Sequence, residues 1–182
     1  MSRDIQLIER LHKLFALRKV VNCLTASEER NFQICEIQQN KPVCIVADQS
    51  ASGFRIDNPR EKRIHVFATD NCFFHEKDGK RCDCIVFDDT SLCFVELKLN
   101  VITHRQATQK AQDGREQLGA TIKFFRDSLD NDFMEFDLEA YIVMQDRIRP
   151  ARNAQRLEVF VNFLRTYGVP LTELSDEEQK VF

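Results

Sequence analysis

The chain has 182 residues, 43% hydrophobic and 30% charged, with a net charge of −3 and a pI near 5.9. That length is enough to bury a core and is most simply one domain spanning 1–182. The acidic balance excludes a broadly basic nucleic-acid coat, so any phosphate contact must be local, and no apolar run approaches the roughly 18–20 residues of a membrane span. Ile5, Ile8, Leu11, Phe15 and Leu7, Leu14, Leu17 recur at helical spacing, with Asp4 in the first turn, which predicts a helix over 4–24. Thr25-Ala26-Ser27-Glu28 has capping-box spacing and Phe32 and Cys35 extend the period to about Gln39, so a second helix is expected there. Val43–Ala47 and Arg63–Phe67 read as strands around a polar stretch with Gly53 and Pro59. Cys72-Phe73-Phe74 reads as a short strand before the turn signal Asp78-Gly79. The N-terminus carries charges from Arg3 onward and no secretory apolar core. The seven cysteines, odd in number and mostly in apolar stretches, read as reduced core fillers, and a cytoplasmic location is expected.

Next comes a hairpin, Arg81-Cys82-Asp83-Cys84-Ile85-Val86-Phe87 and Leu92-Cys93-Phe94-Val95-Glu96-Leu97-Lys98. A turn centred on Asp89-Thr90 sets Asp83 directly opposite Glu96, and strand alternation puts Lys98 on their face with Ile85, Phe87, Leu92 and Phe94. The other face reads Cys82, Cys84, Val86, Cys93, Val95 and Leu97, so both faces are expected to be buried. Opposed like charges destabilise a sheet, the more so without water. A cation between them is therefore expected. Two carboxylates suit a divalent ion with hard oxygen ligands, and the ammonium is suited to stabilise a developing anion or orient a water.

After Lys98 the period changes to 3.6, with Ala107, Ala111, Gly114, Leu118, Ile122, Phe125 and Leu129 in one stripe, which predicts a long helix. Phe136–Met144 reads as a buried strand, and a last helix is expected near 151–167, stopped by Gly168 and Pro170. The tail, about 171–182, is polar and is expected to be loosely held. The N-terminal helices thus cover about 4–39 and the core about 43–167.

This order, with Asp83 on one strand and Glu96-Leu97-Lys98 on the next, resembles the PD-(D/E)XK nuclease superfamily over about 60 residues. The stretch Arg115-Glu116-Gln117 resembles the glutamine-bearing helix of archaeal-type Holliday-junction resolvases. Cys82 replaces the proline usual before the first acid, and Glu9 and Glu36 both qualify as the family's first-helix glutamate. The resemblance implies an α/β (α+β) restriction-endonuclease-like three-layer core, a central mixed sheet flanked by helices. It further implies Mg²⁺- or Mn²⁺-dependent hydrolysis of DNA phosphodiester bonds in restriction, repair or anti-phage defence, with Asp83 and Glu96 as metal ligands, Lys98 at the attacking water and Gln117 auxiliary. The alternative is a catalytically inactive nuclease-like subunit that binds nucleic acid or a partner protein. Glu-x-Lys alone carries little weight, since Glu178-Gln179-Lys180 repeats it in the polar tail.

Cys72-x-x-His75 with Cys82-x-Cys84 offers four soft ligands for zinc, but a Cys-x-Cys pair on a regular strand is a poor chelate. Arg147, Arg149, Arg152 and Arg156 form an acid-free basic patch suited to backbone phosphates or to solvent, and Arg105 and Lys110 lie nearer the triad. Specificity in so short a chain is expected to come from loops, a homodimer or a partner subunit. Five glycines form no phosphate loop, which argues against a nucleotide-driven motor.

Overall fold

A computed structural model of the chain describes residues 2–15, 20–36, 42–47, 52–74, 79–129, 135–146 and 154–182. Helix α1 spans Arg3–Leu14, followed by a 3₁₀ turn at Val20–Cys23 and strands β1 (Leu24–Ser27), β2 (Asn31–Cys35), β3 (Cys44–Val46), β4 (Phe54–Asp57) and β5 (Ile64–Ala68). The hairpin β6 (Cys84–Phe87) and β7 (Ser91–Lys98) leads to α2 (His104–Leu129), β8 (Asp137–Met144), α3 (Ala154–Tyr167), β9 (Leu171–Ser175) and β10 (Gln179–Val181). The class is mixed α and β, with a six-stranded sheet in the order β1-β5-β6-β7-β8-β9 and a four-stranded sheet in the order β10-β4-β2-β3.

Two cores lie on the two faces of the larger sheet. Leu7 and Leu11 of α1, the Ala107–Leu129 stripe of α2 and Phe163 of α3 pack on one face against Phe67, Ile85, Phe87, Leu92, Phe94 and Ile142. The smaller sheet covers the other face, where Phe32, Ile34, Phe54 and Ile56 meet Val66, Cys84, Val86, Cys93, Val95, Tyr141 and Val143. The expected sandwich of helices around a sheet is therefore corrected. Among the described residues α1, α2 and α3 share one side, and a second sheet takes the other.

The hairpin register matches the sequence reading, with Cys84 opposite Val95 and Phe87 opposite Leu92. Its turn is fixed chemically: buried Asp88 accepts hydrogen bonds at Oδ1 from the Thr90 and Ser91 amides at 2.8 and 2.7 Å, while Lys62 Nζ lies 2.7 Å from its Oδ2. Such an aspartate turn pins strand pairing, because a slip of one residue would invert every side chain. Strands β7 and β8 are parallel, so a crossover must join them, and α2 supplies it. After α3, Gly168 takes the left-handed conformation (φ +67°) and donates its amide to the Leu164 carbonyl at 2.7 Å, closing the helix.

Five expectations fail outside the hairpin and the long helix that follows it. Helix α1 ends at Leu14 rather than near residue 24, and the chain re-forms as the 3₁₀ turn. The expected helix over 25–39 is instead β1 and β2 as far as the described residues go: Phe32 and Ile34 alternate into the inter-sheet core, and Ser27 Oγ accepts from the Glu29 amide in a turn, not at a helix start. Cys72-Phe73-Phe74 is a turn with a single bridge from Asp70 to Phe74, its two rings packed edge-to-face in a phenylalanine cluster. The tail is ordered: β9 extends the large sheet beside β8 and β10 joins the small sheet beside β4. Cys23 and Cys72 are joined by a disulfide, contrary to the expectation of reduced thiols throughout, whereas Cys35, Cys82, Cys84 and Cys93 are buried free thiols. Among the described residues no helix is long and apolar enough to cross a membrane.

Candidate active site

The site forms where three strands end together. Strand β6 begins only at Cys84, so the preceding backbone leaves the ladder, and the Asp83 carbonyl accepts instead from the Thr69 amide at 2.9 Å. The Asp83 carboxylate then takes over the ladder, accepting the Leu97 amide at 2.6 Å. Glu96, opposite, points at α2, where a Cβ on Gly114 would sit 3.4 Å from its Cγ. A larger residue at 114 would crowd both Glu96 and Ile142. Lys98, two residues on and therefore on the same face, donates to Glu96 Oε1 and to Gln117 Oε1, the latter at 2.8 Å.

Gln117 does two jobs at once. Its carbonyl holds Lys98 while its amide donates to the Arg81 carbonyl at 3.0 Å, so α2 clamps the lysine to the start of the hairpin. Arg81 in turn lies over the Phe74 ring, 4.7 Å from its centroid. Cys82 departs from the expected strand face: it belongs to the helix-side core and its amide lies 2.8 Å from Thr121 Oγ1 of α2, because residue 82 precedes the regular strand.

Electrostatically the site is a buried excess of negative charge. Burial pushes the Asp83 carboxyl up to about 7, against the pull of the Leu97 amide and Lys98, and the charges of Asp70 and Glu36 push the same way. Burial, then the Asp83 charge, lifts Glu96 well above the carboxylate range. For Lys98 burial acts downward, but Glu96 and Asp83 outweigh it and hold the ammonium protonated. Glu96 is 1% exposed, and its Oε2 has no hydrogen-bond partner among the described residues. An orphaned carboxylate oxygen beside a second carboxylate fits a divalent cation, and Mg²⁺ needs only one or two protein carboxylates, the rest of its shell being water and phosphate oxygens. No group of three or more His, Cys, Asp or Glu side chains arranged for a metal occurs among the described residues.

Asp70 escaped the sequence reading. It directly follows Thr69 at the end of β5, and its amide reaches the Asp83 carbonyl at 3.3 Å. An acidic residue just past the end of an apolar strand run was the signal available. Glu36, which follows β2 rather than lying on a helix, acts on Asp83 by charge, whereas Glu9 is exposed on α1. Arg105 and Lys110 are exposed near the start of α2. The zinc reading finds no support in the cysteines: Cys72 is bonded to Cys23, Cys82 and Cys84 face different cores, and His75 lies outside the described residues.

The basic patch is corrected in part. Arg147, Arg149 and Arg152 lie outside the described residues. Arg156 pairs with the buried Glu173 of β9, which also has Arg115 of α2 at 3.7 Å. An arginine that neutralises a buried carboxylate is a fold residue first. Arg156→Ala should therefore lower the unfolding free energy by about 3 kcal/mol, read from urea titration, because it leaves Glu173 under-compensated. Unchanged stability would return Arg156 to the phosphate-binding role.

The chain matches no family model, no curated protein and no solved structure.

Proposed function

We propose that the protein is a metal-dependent nuclease that hydrolyses phosphodiester bonds of DNA, with Asp83, Glu96 and Lys98 as its active residues. The observation that carries this reading is the carboxylate oxygen Oε2 of the 1%-exposed Glu96, without a hydrogen-bond partner among the described residues and set beside Asp83 and a fixed ammonium. Burying two carboxylates together is costly unless something positive compensates them, and one lysine shared with a glutamine does so incompletely. The order β6, β7, α2, β8, α3 is also that of the PD-(D/E)XK core the sequence resembles, which supports a restriction-endonuclease-like reading of the helix-bearing sheet.

In this reading Asp83 and Glu96 hold Mg²⁺ or Mn²⁺. The bound ion supplies Lewis-acid polarisation of the phosphodiester and acidification of a water. Lys98 places positive charge where negative charge builds on the phosphate, and Gln117 fixes its direction so that little reorganisation is needed during reaction. Arg105 and Lys110, exposed near the start of the same helix, are the cations this reading assigns to the DNA backbone.

One observation favours the alternative of an inactive scaffold: Lys98 pairs directly with Glu96 and neutralises part of its charge. Calorimetric titration with Mg²⁺ and Mn²⁺ at pH 8 separates the two, run on wild type and Asp83→Ala alongside cleavage of plasmid and short duplex DNA. The nuclease reading expects saturable heat and cleavage from wild type, both lost in the variant. Absence of heat and of cleavage in a folded wild-type protein would leave the scaffold.

A further inference from the structure

Helix α3 uses only part of its apolar surface inside the protein. Phe163 is buried, with Phe160 and Tyr167 packed beside it, and these tie the helix to α2. Leu157, Val161 and Leu164 point elsewhere and are 64, 36 and 46% exposed. Their spacing of four and three residues makes them a single stripe along the helix, not scattered surface residues. Such a stripe costs solubility unless it is covered.

The flanking charges indicate what covers it. Glu158 and Arg165 are both exposed and seven residues apart, which returns a helix to nearly the same angle, so they lie on one flank of the stripe. In a two-fold antiparallel pair of α3 helices, equal flanks stay on the same side. Glu158 of each copy then meets Arg165 of the other, twice by symmetry, while Leu157 packs against the second copy's Leu164 across the centre near Val161. A parallel pair would put equal flanks on opposite sides of the seam, so that Glu158 of one copy could not reach Arg165 of the other. With Glu158 and Arg165 in balance beside it, the stripe lacks the lysine- and arginine-rich flank of a membrane-surface helix.

We propose that a second copy of this chain docks antiparallel on α3 through Leu157, Val161 and Leu164, making the protein a homodimer. The inference rests on α3 alone and is independent of the nuclease reading. Three exposed apolar residues and two flanking ion pairs make a small interface, so the dimer forms in the micromolar range.

Sedimentation of the full chain from about 1 µM to about 1 mM tests this. The expected result is a concentration-dependent shift from monomer to dimer that Leu157→Glu with Leu164→Glu abolishes. The altered side chains are exposed, so circular-dichroism melts taken at concentrations where both proteins are monomers should coincide, and loss of the dimer cannot then be put down to unfolding. Glu158→Arg and Arg165→Glu should each weaken dimerisation about tenfold, and the two together should restore it. A monomer at every concentration overturns the proposal. So does a dimer indifferent to the leucine changes, or one in which the combined charge exchange fails to restore what the single changes removed.

Discussion

Glu96→Gln is expected to abolish cation-dependent DNA cleavage, by about a thousandfold or more, in a protein that folds as well as the wild type. The size follows from the several kcal/mol of charge stabilisation that a bound ion contributes to the reaction. The amide preserves the shape that Gly114 accommodates, so packing against α2 is unchanged. Lys98 keeps Gln117 Oε1 as an acceptor at 2.8 Å. Burial already disfavours the charged form of Glu96, which offsets the loss of its pair with Lys98, so the melting temperature should change little. Cleavage kinetics and thermal melts of the same preparation provide both readings. Undiminished cleavage would remove Glu96 from the site; lost cleavage with a collapsed melt would show only that the residue is structural.

The central third of the chain was legible because several signals agree there. Asp88 fixes the turn, alternation fixes the faces, and the switch to period 3.6 at Ala107 announces the crossover that parallel strands require. The triad followed from register alone. The flanks were misread for the opposite reason. Over 25–35 the pair Phe32 and Cys35 suggests a helix, but what decides the structure is pairing of β1 with β5, forty residues away, and burial of Phe32 and Ile34 against a second sheet. The alternation Phe54-Arg55-Ile56-Asp57 lies inside what reads as a polar stretch, and its partners β2 and β10 come from opposite ends of the chain. The tail looked polar because its strands sit at sheet edges, where Glu173 is compensated by arginines of α2 and α3 that no local pattern reveals. Asp70 was missed likewise, since its nearness to Asp83 depends on β5 lying beside β6.

The metal-free protein is expected to lose stability as pH rises from about 4 to about 7. Asp83 has its folded pKa raised from 3.8 to about 7, so across that interval the folded state keeps a proton that the unfolded state has released. Stability then falls with rising pH and levels off once Asp83 ionises in both states, which is the reverse of the usual salt-bridged carboxylate. His65 works in the other direction: burial lowers its pKa, and the stability it lends is lost as pH falls below 6.5. Comparison with Asp83→Asn isolates the aspartate, since the amide still accepts the Leu97 amide and cannot titrate. Melting in EDTA should show wild type declining relative to the variant between pH 4.5 and pH 7.5. Under the proposed function, saturating Mg²⁺ should recover that loss at pH 8 and do little at pH 5, because a cation must displace the proton Asp83 holds in acid. Parallel curves for wild type and variant in EDTA would show that Asp83 is not held protonated by its burial. A pH-dependent difference in EDTA that Mg²⁺ leaves untouched would keep the electrostatics and refute the metal.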